Sequence, residues 1–303
     1  MPAEDKLVSV AMASYNGERF IREQVASVFA QTYKNIELVI TDDASTDDTV
    51  KIIQELQLTY PAIRLFALQQ NAGVSNTFQH SIKNCNGEFI ALADQDDVWE
   101  PEKIKALMDN IGDADAIYAD AILTDSAGNS MHRNFKSLMN LQSYYTGGPF
   151  LLHNCVPGHA ILMKREFAKK ILPFPNTMMF DRWISFCAAS RNGIKYLDRP
   201  LVRYRQHENN VVGVGKRKNK ERLTKQERFE EKITMLRSME QAPITDKKTR
   251  EMLSEMIRLF HRRPSIRRSA FFFRYFDDIL VIKKKSGFRK FLYCLKMFFK
   301  PNY

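Results

Sequence analysis

Four cysteines in 303 residues, Cys85, Cys155, Cys187 and Cys294, are too few and too scattered to make a zinc knuckle or a redox pair. They are expected to be small buried hydrophobes in a reducing compartment. No stretch reaches the roughly 18 uncharged apolar residues that a membrane span needs. The opening Met1-Pro-Ala-Glu-Asp-Lys has neither the basic start nor the apolar run of a signal peptide. The expectation is therefore a cytosolic protein, attached at most to a membrane surface. No G-x-G-x-x-G and no P-loop occurs, which removes the usual dinucleotide and ATP fingerprints, and there is no internal repeat. With 44% hydrophobic and 27% charged residues, a disordered tail or a fibre is excluded.

The formal net charge of +11 is unevenly spread. Residues 216–303 carry 25 Lys+Arg against 10 Asp+Glu, a net of +15, whereas residues 1–215 carry a net of −4. A mildly acidic body joined to a basic tail points the tail at something anionic, either nucleic acid or a membrane surface.

In the first half, short apolar runs at Leu7–Ala13, Ile36–Thr41, Ile63–Leu68 and Glu88–Ala93 alternate with longer amphipathic segments. Ile21, Val25, Val28 and Phe29 lie on one helical face, and a second helix is expected from about Asp47 to Leu58. Uniformly apolar strands alternating with helices predict an α/β fold with a mostly parallel sheet covered on both faces. Ligands of such sheets bind at the carboxyl ends of the strands. Residues 147–215 read as a second part of the same domain: a turn at Gly147-Gly148-Pro149, a strand at His159–Met163, a helix at Phe180–Asn192, and strands at Ile194–Leu197 and Leu201–Arg205. Beyond Lys216 the texture is helical and basic.

The loops at the strand ends hold the chemistry. Three carboxylates in Asp94-Gln95-Asp96-Asp97 repel one another unless a cation sits among them; a hard divalent ion would relieve this and could bridge a diphosphate. The alternative is a solvated turn in which Asp96 or Asp97 caps the helix starting near Pro101. Asp42 and Asp43 end the second strand, where a carboxylate accepts from a pyrimidine N–H or a ribose hydroxyl. Ser45 or Asp47 could cap the next helix, and for Asp47 and Asp48 that is the better reading.

In order and spacing, Ser14-Tyr15-Asn16, Asp42-Asp43-Ala-Ser-Thr-Asp47, Asn71-Ala-Gly73 and Asp94-Gln-Asp96-Asp97 resemble family 2 glycosyltransferases of the GT-A fold. Gly158-His159-Ala160, Phe180-Asp181-Arg182-Trp183 and Tyr204-Arg205-Gln206-His207-Glu208-Asn209-Asn210 are similar to the rhamnosyltransferase-like branch. The match covers roughly residues 7–213. The resemblance implies a GT-A catalytic domain at 1–215, with a nucleotide-sugar half at 1–120 and an acceptor half at 121–215, followed by a basic helical region at 216–303. It implies nucleotide contacts from Ser14, Tyr15, Asp42, Asp43, Asn71, Gly73, Asp94 and Arg205. A Mn²⁺ or Mg²⁺ is implied on Asp96 first, assisted by Asp94 or Asp97, with His207 completing the site or bonding the diphosphate. Asp181 is implied as the base of an inverting transfer, its alternative being the N-cap of its helix. Arg205 pairs either with phosphate or with an internal acid, His159 lines the acceptor side or packs, and Trp183 stacks on a sugar or fills the core.

In the tail, Phe288, Phe291, Leu292, Leu295 and Phe299 line one side of a helix and Arg289, Lys290, Lys296 and Lys300 the other, a pattern of a helix lying in an anionic bilayer. Arg262-Arg263, Arg267-Arg268, Phe271-Phe272-Phe273 and Lys283-Lys284-Lys285 add cations and aromatics. No nucleic-acid motif accompanies the charge, so membrane is expected rather than nucleic acid. The combined expectation is an inverting glycosyltransferase at the cytoplasmic face of the inner membrane. It would move a sugar from a UDP- or dTDP-sugar to a polyprenyl-diphosphate-linked saccharide in surface polysaccharide synthesis. The alternatives are a non-catalytic α/β core that binds nucleic acid or membrane, and a nucleotidyltransferase. The latter normally needs a Gly- and Lys/Arg-rich phosphate loop, and Ser14 to Arg19 offers one glycine and one arginine.

Overall fold

The structure is a computed structural model that describes residues 6–208, 224–260 and 264–299. Asn209, Asn210, Arg262, Arg263 and Lys300, and the boundary expected at 215/216, lie outside the described residues.

The four apolar runs form β1 (Val8–Ser14), β2 (Ile36–Asp42), β3 (Ile63–Ala67) and β4 (Phe89–Asp94). Between them lie α1 (Ile21–Phe29), α2 (Thr49–Thr59) and α3 (Val74–Lys83). The expected parallel sheet is built from these strands in the order β3-β2-β1-β4. From β1 the chain crosses to β2 and β3, then returns to pair β4 on the other side of β1. The crevice at the carboxyl ends of β1 and β4 is thus the topological switch point where such sheets bind ligands. Register puts Ser14 opposite Asp42 and Ala13 opposite Asp94.

The sheet continues through β5 (Val98–Trp99), α4 (Lys103–Ile111), β6 (Ala116–Thr124), β7 (Ser130–Asn134), β8 (Ile161–Lys164), α5 (Arg165–Ile171), α6 (Phe180–Ala189) and β9 (Ile194–Arg205). Its order beyond β4 is β8-β6-β9-β5, with β7 on β6; β8 joins antiparallel, and β9 runs parallel to β6. Three expected elements differ. The strand expected at His159–Met163 begins only at Ile161, because Gly158–Ala160 is a 3₁₀ turn. The two strands expected after Ile194 are one, since the ladder absorbs Pro200 opposite Asp120 in a register shift. The helix expected to reach Asn192 stops at Ala189, where the Ser190 hydroxyl turns back to Phe186 O.

Alternation along β1 sends Val8, Val10 and Met12 into one apolar cluster and Ala11 into the other, so both faces are covered. The basic region forms α7 (Lys225–Met239), α8 (Lys247–Phe260), α9 (Ile266–Arg274), α10 (Phe276–Ile279) and α11 (Gly287–Phe299). Met252, Leu253, Met256 and Phe260 of α8 join the Ala11 cluster. Gly147 N donates to Thr249 Oγ1 at 2.7 Å, and Asn140 N donates to Ile282 O at 2.9 Å. The region is packed into the same core as the α/β body.

Two features of the tail correct the sequence reading. Arg268, counted with the surface cations, is fully buried and donates to Met297 O at 2.6 Å and Phe298 O at 3.0 Å, satisfying carbonyls at the end of α11. Phe271 and Phe272 are buried, leaving Phe273 as the exposed member of that triplet. The apolar stripe of α11 does face solvent: Phe288 is 70% and Phe299 72% exposed, while Cys294 and Met297 pack inward. All four cysteines are buried free thiols. Among the described residues, no helix is long and apolar enough to cross a membrane.

Candidate active site

The loops after β1, β2 and β3 are joined through two aspartates. Ser14 Oγ donates to Asp42 Oδ2 at 2.8 Å, and Ser45 donates to the same carboxylate through N at 2.8 Å and Oγ at 2.6 Å. Asp43 accepts from Ala72 N at 2.6 Å and Gly73 N at 3.0 Å, while Asn71 Nδ2 donates to Asp43 O at 3.2 Å. Both carboxylates are buried, so they fix the rim formed by the three loops. Tyr15 stands exposed above them, its N and O clasped by the Gln95 amide at 2.9 Å each. Gly17 leaves room for this clasp, since a Cβ there would meet Gln95 Oε1 at 2.1 Å and displace the amide. Asp47 does serve the following helix, accepting from Thr49 N at 3.0 Å, whereas Asp48 makes no side-chain cap.

The capping alternative for the acid loop fails, since α4 starts after Glu102 with no side-chain cap. Two sets of donors meet at this loop. Ligand atoms of Asp94, Asp97 and His159 lie within 4.8 Å of one another, a group that could hold a metal ion. His159 Nδ1 is 3.1 Å from Asp97 Oδ2 and 3.4 Å from Asp94 Oδ2, and Asp97 Oδ2 is buried without a hydrogen bond. Separately, His207 Nε2 lies 2.7 Å from Asp96 Oδ2, although the two are 111 residues apart. Access varies within and between the sets: the Asp94 side chain is 36% exposed, those of Asp96 and His207 are 13% and 10%, and those of His159 and Asp97 are 3% and 0%. Burial, then the charges of Asp96 and Asp94, push the Asp97 carboxyl well above its usual range. Asp97, expected to assist at the metal, is enclosed beneath the loop, and His159, expected to line the acceptor side or to pack, is buried beside it.

Arg205 takes one of its two expected partners. Its Nη2 is 2.5 Å from Glu23 Oε2, its Nε donates to Asp96 O at 2.9 Å and its Nη1 to Ser126 O at 3.2 Å, with the guanidinium over the Phe20 ring. Of the two partners open to it, the structure gives the internal acid, and the side chain braces the acid loop from inside. Trp183 likewise fills the core, donating through Nε1 to Ile171 O at 2.8 Å.

Asp181 sits in the first turn of α6, where Met179 rather than the aspartate is the N-cap residue, and its Oδ1 accepts from Arg182 N at 2.6 Å. Gly158 lets the turn carrying His159 press against it: a Cβ at Gly158 would meet Phe180 Cζ at 2.8 Å and Asp181 Cβ at 3.5 Å. Burial first, and then the charge of Asp94, raise the Asp181 carboxyl to about 7, against the pull of Arg182 N–H and Asn154. A carboxyl raised to neutrality beside a separate acid cluster is suited to moving a proton. Sequence reasoning missed Lys103, which is fully buried under the acid loop and donates to His159 O at 2.6 Å. Its signal was a lysine four residues before Leu107 and eight before Ile111, on the face that α4 buries.

The model of the family described as "Glycosyl transferase family 2" matches residues 9–172. The dTDP-rhamnosyl transferase RfbG of Shigella flexneri is 34% identical over 218 residues, which cover 67% of this chain and 73% of that protein. Two further relatives are spanned over 65% and 64% of their own length. Among solved structures, S. aureus TarS 1–349 in complex with UDP-GlcNAc is similar with a TM-score of 0.61 at 18% identity, covering 96% of this chain and 80% of that one. The mannosyltransferase PcManGT from Pyrobaculum calidifontis, in complex with GDP-Man and Mn²⁺, has a TM-score of 0.50 at 17% identity, covering 64% and 55%. The family model, RfbG and the GT-A architecture agree with the acids found along the rim of the sheet, and the chain belongs to glycosyl transferase family 2.

Proposed function

We propose that this glycosyltransferase moves a sugar, with inversion, from a UDP- or dTDP-sugar to a polyprenyl-diphosphate-linked saccharide during surface polysaccharide synthesis. The observation that carries the reading is Asp181, raised to about 7 within the field of Asp94. The nucleoside lies along Tyr15 and the loops tied by Asp42 and Asp43, with Asn71 and Gly73 closing the far side. Asp96 and His207, with Asp94, would hold a Mn²⁺ or Mg²⁺ at the acid loop, Asp94 being the most exposed of its donors. Bound there, the ion offsets the charge that builds on the departing diphosphate. The deeper Asp97, His159 and Lys103 support the loop from below. Asp181 takes the proton of the acceptor hydroxyl as its oxygen bonds C1; the C1–O bond to the diphosphate breaks and the nucleoside diphosphate leaves. The RfbG and TarS names support a nucleotide-sugar donor, and the Mn²⁺ in the PcManGT complex supports a divalent ion.

The exposed stripe of α11, with Arg289, Lys290 and Lys296 on the same helix, supports docking on the inner leaflet, where a lipid-linked acceptor is found. A panel of UDP- and dTDP-sugars, screened for Mn²⁺-dependent thermal stabilisation, tests the reading. The right donor at 100 times its dissociation constant adds about 2.7 kcal/mol of stability; no shift with any member would end it.

A further inference from the structure

Gln95 stands between two acids of the rim, yet its side chain bonds to the loop after β1. β4 ends at Asp94, paired with Ala13, and the chain then turns away. The Gln95 amide continues where the backbone leaves off: Oε1 accepts from Tyr15 N and Nε2 donates to Tyr15 O, each at 2.9 Å. One acceptor and one donor are what a peptide group of a neighbouring strand would offer. The side chain therefore carries the β1–β4 ladder one step past the end of β4.

The rest of the first loop is tied to the second instead. Ser14 O accepts from Asp43 N at 2.8 Å, and Gly17 N donates to Thr49 Oγ1 at 2.7 Å. Asn16 N donates to Ser45 Oγ at 2.9 Å, and Asn16 Oδ1 accepts from Thr46 N at 2.9 Å. Tyr15, among these residues, has both its N–H and its C=O on Gln95. Directly after it the chain reverses through Asn16, whose φ of 46° lies in the left-handed region that asparagine tolerates. Tyr15 thus projects an exposed ring from a main chain held on both sides, which is a stacking surface for a base.

We infer that Gln95 is a positioning residue for the nucleoside, setting the height and tilt at which the Tyr15 ring meets the base. This rests on the transfer reading, in which the base lies along Tyr15. Because the same turn carries Asp94 and Asp96, one side chain matches the seat of the base to the acids that face the diphosphate. Gly17 belongs to the arrangement. A Cβ there would meet Gln95 Oε1 at 2.1 Å and Cδ at 2.5 Å, so a methyl group breaks the clasp while Gln95 and Tyr15 are both kept.

The test is a double-mutant cycle on the full chain, read as affinity for UDP and dTDP with Mn²⁺ present. Tyr15→Ala removes the ring but keeps the N–H and C=O that Gln95 bonds, whereas Gln95→Met keeps the length and removes both hydrogen bonds. Tyr15→Ala should weaken binding about fivefold or more and Gln95→Met about threefold or more, with the double variant no weaker than Tyr15→Ala alone, because Gln95 acts through the ring. Inorganic pyrophosphate with Mn²⁺ has no base to stack and should bind the variants as it binds wild type. Should Gln95→Met unfold, Gly17→Ala is expected to give the same loss and the same dependence on Tyr15. Additive losses in the double variant, or an equal loss for pyrophosphate, overturn the inference, since either shows Gln95 supporting the acid loop rather than the tyrosine. So does unchanged affinity in folded Gln95→Met. If Tyr15→Ala binds both nucleotides as wild type does, the inference falls and the donor reading stands; if wild type binds neither nucleotide, both fall.

Discussion

Lys103 Nζ donates to the carbonyl oxygen of His159 at 2.6 Å while lying 3.3 Å from the centroid of the Trp99 ring. This places an ammonium in the interior directly under the acid loop. Burial draws it well below the usual lysine range, and Asp97 and Asp94 oppose that. The same lysine holds the backbone of the residue whose Nδ1 faces both aspartates, so charge balance and geometry at the loop depend on one side chain.

Lys103→Met keeps the stem and removes the charge. An uncompensated buried carboxylate costs about 3–5 kcal/mol, so the melting temperature should fall by roughly 6 °C or more. Added Mn²⁺ should restore more of it in the variant than in wild type. Calorimetry with and without the ion decides, and an unchanged melting temperature would show that the buried charge balances nothing.

Asp181→Asn should lower transfer by about 10²–10⁴-fold, the range a general base contributes. Because the base must be deprotonated, wild-type kcat/KM should rise with pH through about 7. A pH profile flat from 5.5 to 8.5 would contradict the assignment.

Stability should move in the opposite sense. Folded Asp181 keeps its proton up to about 7, whereas in the unfolded chain it is lost near the ordinary aspartate value of 3.8. Between those values the native state binds more protons, so this group destabilises increasingly as pH rises. The cost reaches about 4 kcal/mol at most by pH 8. Thermal unfolding of Asp181→Asn should therefore show a growing advantage over wild type from pH 5 to pH 8.

Asp96→Ala and His207→Ala should each weaken Mn²⁺ binding at least tenfold, with His159→Ala affecting stability more than affinity. Titration of the ion by electron paramagnetic resonance reads this directly. The reverse order would move the ion to Asp94, Asp97 and His159. EDTA should abolish transfer in either case.

Phe288→Ser/Phe299→Ser removes two exposed apolar side chains from α11. Each contributes about 1.5–3 kcal/mol when buried in an apolar phase, so sedimentation with phosphatidylglycerol vesicles should weaken at least tenfold. The melting temperature should hold. Equal sedimentation of variant and wild type would leave α11 without a membrane role.

The first four strands and the helices between them were readable because each is short, apolar and bounded by turns. Where reading failed, a distant partner had decided the matter. His159 reads as the start of a strand but turns under the acid loop, held by Lys103. Arg205 reads equally as a partner of phosphate or of an internal acid until Glu23, far back in the chain, is placed against it. Arg268 reads as a surface cation, and it is buried because the carbonyls at the end of α11 need a donor.

Local periodicity by itself fixed the alternation of strand and helix, and with it the gathering of Ser14, Asp42 and Asp94 at one end of a sheet. It could not say which acid meets solvent. Asp94, Asp96 and Asp97 have nearly the same sequence context, yet one is on the rim, one pairs with His207 and one is enclosed. That division depends on register, burial and contacts across a hundred residues, and only the folded chain brings those together.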